Sequence, residues 1–189
     1  MKLSSKSLSP CFGRRLVRLE GDSWRTFFDS YRREAFRLET LPSYHVGGEQ
    51  EEYEKFLATG KLDIPDDDSW FTRVRHFRNT GRWIGRVHVI SRPLTGYLRY
   101  EFAVYCRTVA AGEDVRILDL TDRSDPGLPT QDFWLFDDTA VVRMDYDPDG
   151  TQLGRELLED IDPAPYVAWK RLALEYAEQF TENWVKREG

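Results

Sequence analysis

Residues 71–90, "FTRVRHFRNTGRWIGRVHVI", hold five arginines and two histidines in a chain whose formal charge is -6. Arginine binds carboxylates and phosphates through paired N–H groups, and histidine exchanges protons near neutral pH. Two chemistries follow. Arg73, Arg75, Arg86 and His88 would capture an anion, or the same arginines would hold phosphates while His88 or His76 serves as general base or acid. Asn79-Thr80-Gly81 reads as the turn of a β-hairpin. With Thr80-Gly81 at its centre, Phe77 faces Ile84, Arg75 faces Arg86 and Arg73 faces His88. Alternation then puts Trp70, Val74, Trp83, Val87 and Val89 on a core face. The arginines, His88, Phe71, Phe77, Ile84 and Ile90 share the other.

Like charges directly opposite each other destabilise a sheet by up to about 1 kcal/mol. The basic face therefore needs an offset. Glu34, Glu39, Glu101, Asp132 or Asp145 would supply it internally; a bound anion or an acidic partner would supply it from outside. A second hairpin is expected from "DFWLFDDTAVVRMDY", turning at Asp138-Thr139 and setting Trp134 opposite Arg143 and Asp132 opposite Asp145. In "GYLRYEFAVY", Tyr97 and Glu101 are four apart and share a helix face, with Tyr100 beside them. The expected binding set is Arg73, Arg75, Arg86, His88, Tyr97, Tyr100, Glu101, Trp134 and Arg143.

Other motifs carry less. "DYDPDGTQLGRE" places Asp145, Asp147, Asp149, Gly150 and Glu156 at calcium-loop spacing, but a strand precedes it where that loop needs a helix. A tight Asp-Pro-Asp-Gly turn is the plainer reading. His45, His76 and His88 lack metal-ligand spacing. The sequence contains no GxSxG or phosphate-binding P-loop, and no GxGxxG follows a strand. Cys106 reads as a packed helix residue, and Cys11 and Cys106 form no metal or redox pattern, which suits a reducing, cytoplasmic setting. No cofactor is expected.

The elements that must position these residues read as follows. The chain has 189 residues, 40% hydrophobic and 14% aromatic, enough for one globular domain. Residues 1–20 read as a flexible basic arm and 21–189 as a single α+β domain. Helices are expected over "DSWRTFFDSYRRE", capped by Asp22, over "GEQEEYEKFLATG", ending at Gly60, and over "PLTGYLRYEFAVYCRTVAAG", with Pro93 in its first turn. "AFRLET" and "VRILDL" read as strands, and "QLGRELLED" as helical. A long final helix from about Pro165 would carry Trp169, Leu172, Tyr176 and Phe180 as one stripe. The expected fold is a mostly antiparallel sheet with two hairpins, flanked by helices.

The blocks "FRLETLPSY", "GRVHVISRPLTGYLRYEF", "AAGEDVRILDL" and "DFWLFDDTAVVRMDYDPDG" resemble an actinomycete family of unknown function often encoded beside Xre-type helix-turn-helix regulators. The resemblance covers residues 24–180 and implies a regulatory role with such a regulator as protein partner. The element order also faintly resembles half of a phospholipase-D-like domain, whose His-x-Lys motif is missing: Val89 and Ile90 follow His88. The reading is a non-enzymatic regulatory or interaction protein that binds an anionic small molecule or partner. A toxin-like RNase is the second reading and direct DNA binding the third. Net negative charge disfavours nucleic acid, and no apolar run approaches membrane-spanning length.

Overall fold

A computed structural model describes residues 15–45 and 47–186. Its elements, in chain order, are β1 (Arg15–Arg18), α1 (Gly21–Asp29), β2 (Glu34–Glu39), α2 (Gln50–Thr59), α3 (Ser69–Asn79), β3 (Trp83–Ile90), α4 (Gly96–Ala111), β4 (Asp114–Asp119), β5 (Phe133–Phe136), β6 (Ala140–Tyr146), β7 (Gln152–Glu159), α5 (Ala164–Tyr176), β8 (Glu178–Gln179) and α6 (Asn183–Lys186). The strands form one eight-stranded sheet ordered β1-β7-β6-β5-β2-β3-β4-β8. It is mixed: β2, β3 and β4 run parallel, and the remaining pairs are antiparallel. The expected mostly antiparallel sheet is corrected on this point. Parallel neighbours need long crossovers, and α2 with α3, then α4, supply them.

The basic "hairpin" is therefore a helix followed by a strand. Phe71, Val74 and Phe77 are all buried, at a spacing of three that only a helix can turn to one side. Asp68 caps the helix by accepting from the Trp70 N–H at 2.8 Å. After Thr80 and the left-handed Gly81, β3 starts at Trp83 and pairs with β2 instead of with residues 71–78. Arg75 never meets Arg86. Within β3 the expected alternation holds: Ile84, Val87, His88 and Ile90 are buried, with Ile84 and Val87 in separate cores on the two sheet faces.

One face of the sheet carries Ala35, Ile84, Trp134, Phe136, Val142 and Met144, packed by α1 and α3. Phe28 anchors this core, with ring centroids 4.8 Å from Trp134, 5.2 Å from Phe136 and 5.9 Å from Phe77. Such aromatic pairs each contribute about 0.5–1.5 kcal/mol beyond burial. Phe36, Leu38, Val87, Phe133, Leu135 and Val141 line the opposite face under α5. Lys170 of α5 is buried there and pairs with Glu34 at 2.9 Å and Asp138 at 2.5 Å. α4 packs on Val115 and Ile117 through Leu98, Phe102 and Tyr105.

Several boundaries depart from expectation for local reasons. Glu20, not Asp22, caps α1, in a reciprocal box with Ser23. Thr95 caps α4, so Pro93 precedes the helix; Gly60 and Gly112 end α2 and α4 in left-handed conformations as expected. The β5–β6 loop has three residues, 137–139, with Asp137 and Asp138 at positive φ. This shifts the register by one, so Phe133 faces Arg143 and Trp134 faces Val142. Asp132 lies outside that register, and Asp145 pairs with Gly154. "QLGRELLE" forms β7 because both β6 and β1 pair with it; tertiary pairing overrides its helical composition. The expected long final helix is the shorter α5, ending at Tyr176, and Phe180 joins the α4 core from beyond it. Residues 1–14 of the expected arm lie outside the described residues, while Arg15–Arg18 form an edge strand. No helix among the described residues is long and apolar enough to cross a membrane.

The calcium-like stretch is the β6–β7 turn. Gly150 sits at φ 90°, and a Cβ there would lie 2.4 Å from the Ser43 carbonyl oxygen. That contact brings residues 43–45 onto the turn, where the His45 N–H donates to the Gly150 carbonyl at 2.9 Å. Gly150→Ala is expected to cost about 2–4 kcal/mol through positive φ and overpacking. Urea denaturation checks this; an unchanged midpoint would show that the turn and the 43–45 segment are not held together.

Candidate functional site

The sheet face beneath α1, α3 and α4 carries charge where a core would be apolar. In β2, Arg37 and Glu39 stand two apart and so share a face, while Phe36 and Leu38 point to the other. Register places Arg37 beside Arg86 and Glu39 beside His88. Four arginine–carboxylate contacts link these side chains into one row. Arg37 Nη2 donates to Asp132 at 3.1 Å and its Nε to Glu39 at 3.4 Å. Arg86 Nη1 reaches Glu39 at 3.2 Å, and its Nε donates to Glu113 at 2.6 Å. The row reads Asp132, Arg37, Glu39, Arg86, Glu113.

Each end is tied to flanking elements. Asp132 also accepts from Tyr44 Oη at 2.7 Å and from Thr40 Oγ1 and N–H at 2.7 and 2.9 Å. Glu113, placed by the α4 terminus, accepts from Trp70 Nε1 of α3 at 3.2 Å. Burial alone would raise the Glu39 carboxyl, but the Arg86 and Arg37 guanidinium groups outweigh it and hold the pKa at about 2. Tyr105 Oη lies 2.8 Å from His88 Nδ1 and 3.3 Å from Glu39, and its single hydrogen serves one of them at a time. His88 Nε2 donates to the Leu41 carbonyl at 3.1 Å; a carbonyl only accepts, which fixes the hydrogen on Nε2.

Above this row lies a cavity of about 260 Å³. Arg37, Glu39, Arg86, Trp134, Met144 and Tyr146 form its floor. Trp24, Phe28, Trp70, Tyr97, Glu101 and Tyr105 wall it, and Arg155 and Glu49 also line it. Arg37 is 3% exposed, and its Nη1 is buried with no hydrogen-bond partner among the described residues. Arg155 contacts Gln152 Oε1 at 2.7 Å and lies 5.2 Å from the Trp24 ring centroid. Burial lowers the Arg155 pKa, and the nearby Arg37 charge lowers it further. Glu101 is buried and accepts from Tyr97 Oη at 3.3 Å. Burial, then the Glu49 and Glu39 carboxylates, push its pKa up to about 7.

The structure divides the expected binding set. Arg73, Arg86, Tyr97, Glu101 and Trp134 line the cavity. Tyr100 lines the neighbouring space between α2, α3 and α4. His88 is 0% exposed, with both ring nitrogens engaged. Arg73 donates to Asp29 at 2.7 Å and sits 4.4 Å over the Phe28 ring. Arg75 and His76 lie on the solvent side of α3, with Arg75 donating to the Asp66 carbonyl at 2.8 Å. Arg143 projects from the opposite sheet face, paired with Asp145 at 2.9 Å and Glu156 at 2.5 Å. Asp145 and Glu156 are thus committed to Arg143, and Asp149 accepts from the Thr151 N–H. Among the described residues no group of three or more His, Cys, Asp or Glu side chains is placed to hold a metal. Arg37, Tyr44, Trp70, Tyr146 and Arg155 were not in the expected set. The alternation in "AFRLE" was the available signal for Arg37; Arg155 was hidden by reading β7 as a helix.

Two measurements probe the row. Arg86→Ala leaves Glu39 and the fully buried Glu113 side chain short of their guanidinium partner, at an expected cost of about 3–5 kcal/mol. Arg75→Ala, on the surface, stays within about 0.5 kcal/mol of wild type. Equal effects in denaturant titrations would contradict the assignment. Glu101 has a raised folded pKa, so the native state binds more protons than the unfolded chain between pH 4.5 and about 7. Its contribution is full below that window and is lost as pH rises through it. Glu101→Gln should remove a stability decline on the order of 3 kcal/mol between pH 5 and 8. A variant that tracks wild type across this range would show that Glu101 is not desolvated.

No curated protein matches the sequence. A domain of unknown function, DUF6879, matches residues 22–185, a span that holds every residue lining the cavity, from Trp24 to Arg155. The chain belongs to the DUF6879 family.

Proposed function

We propose that this protein is a non-enzymatic regulatory module that binds a small anionic molecule in the cavity above the arginine–carboxylate row. The observation that carries this reading is the buried Nη1 of Arg37, a charged donor without an acceptor among the described residues. Leaving such a donor unmatched is costly, and a carboxylate or phosphate oxygen would match it. Arg155 adds a second guanidinium, whose described contacts are an amide oxygen and an aromatic face. The aromatic walls provide apolar contact for the body of the ligand.

The volume favours a small metabolite over a polymer. Of the two histidines in the RNase reading, His88 is enclosed by Tyr105, Tyr44 and the Leu41 carbonyl, and His76 lies on the solvent side of α3, outside the cavity lining. The DNA reading needs an exposed basic surface, and Arg73 and Arg86 are turned inward against Asp29, Glu39 and Glu113. A helix-turn-helix regulator as the partner that reads the ligand state rests on the family resemblance.

The test is thermal denaturation with carboxylates and with inorganic phosphate. A binder at about 100 times its Kd should raise Tm by about 5–10 °C. Arg155→Gln should melt near the wild-type temperature and lose most of that rise. The reading fails if no anion stabilises the wild type, or if Arg155→Gln responds equally.

A further inference from the structure

The same cavity that presents Arg37 Nη1 and the Arg155 guanidinium also presents carboxylates with no ion-pair partner among the described residues. Glu101 is buried in its wall, and its one described hydrogen bond is the 3.3 Å contact from Tyr97 Oη; no arginine or lysine lies within ion-pair distance among the described residues. Arg86, the nearest cation by its effect on Glu101, is already committed to Glu39 and Glu113. Glu49 lines the cavity on the same side. A second cavity of about 310 Å³, between α2, α3 and α4, shares Glu49, Trp70, Glu101 and Val104 as walls. It adds Glu52, whose Oε2 is buried without a hydrogen-bond partner among the described residues, and Asp68. The site is thus polarised: Arg37 and Arg155 face it from β2 and β7, Glu101 and Glu49 from α4 and the start of α2. Trp24, Trp70 and Trp134 stand among them.

We propose, building on the anion-binding reading, that the ligand is a zwitterion with an apolar body, its carboxylate held by Arg37 Nη1 and Arg155 and its ammonium group by Glu101 and Glu49. An ammonium group offers three donors and one positive charge, which is what the carboxylate end lacks. Indole rings beside it add cation–π attraction. A simple anion would leave the acidic end uncompensated and so bind more weakly than the zwitterion. The groups facing Glu101 are Glu49 from α2, Glu39 from β2, Arg86 and His88 from β3 and Tyr97 from its own helix. An ammonium group would favour the ionised form of Glu101, so binding should release a proton near pH 6.5 and weaken as pH falls below 7.

The experiment uses the full chain and matched probe sets. Each set contains an amino acid, its carboxylate without the amine and its amine without the carboxylate; α-amino acids and ω-amino acids of increasing length are included. Binding is read by calorimetry in two buffers of different ionisation enthalpy, which reports proton release. The expected result is at least a tenfold preference of one zwitterion over both of its counterparts. Glu101→Gln should abolish the preference over the plain carboxylate, while Arg155→Gln should lose affinity for both. Plain carboxylates binding as tightly as every zwitterion, with Arg155 required, would overturn the zwitterion assignment and leave the anion site standing. No binding by any member would overturn both.

Discussion

The architecture turns on a row of alternating charges, Asp132–Arg37–Glu39–Arg86–Glu113, laid across the parallel strands β2 and β3. Burying any one of these groups alone would be prohibitive. Together they offset one another's charge, and each terminal carboxylate draws in a further element. Asp132 holds Tyr44 and Thr40; Glu113 holds Trp70. The parallel register matters because it sets Arg37 beside Arg86 and offsets Glu39 toward both. An antiparallel pairing of residues 71–78 with β3 would instead have stacked arginine on arginine.

Such a row limits how the face above it can be closed. α1 and α3 seal one end with aromatic rings around Phe28, and α4 seals another through Tyr105 and Phe102. Between them, charged floor groups meet tyrosine and tryptophan walls, and a cavity remains. The row is not fully self-satisfied, since Arg37 Nη1 is left over; beside it, the Glu101 carboxylate has no ion-pair partner among the described residues. Surplus donor and surplus acceptor lie on one cavity, so the interactions that stabilise the fold also define what the cavity can recognise.

Much of the fold was legible locally. β2, β4, the helix stop signals at Gly60 and Gly112 and the alternation of β3 follow from short-range patterns. Residues 71–78 misled because Arg73 and Arg75, two apart and followed by the Asn79-Thr80-Gly81 turn signal, imitate a strand, whereas Phe71, Val74 and Phe77 keep a helical period. Residues 152–159 misled because Leu, Glu, Gln and Arg favour helices, and the pairing with both β1 and β6 that overrides them is non-local. The site was half legible. Internal pairing of the basic residues, with Glu39 as counterion, was among the readings; Arg37 and Arg155 were not, since their importance arises only when β5, β6 and β7 are assembled beside β2.

The most direct test of the account is a high-resolution crystal structure of the protein grown with a small carboxylate. The account predicts a carboxylate oxygen within about 3 Å of Arg37 Nη1, with Arg155 turned toward it and the five-member charge row intact. A structure in which a protein oxygen caps Arg37 Nη1 and the walls close over the row would contradict it.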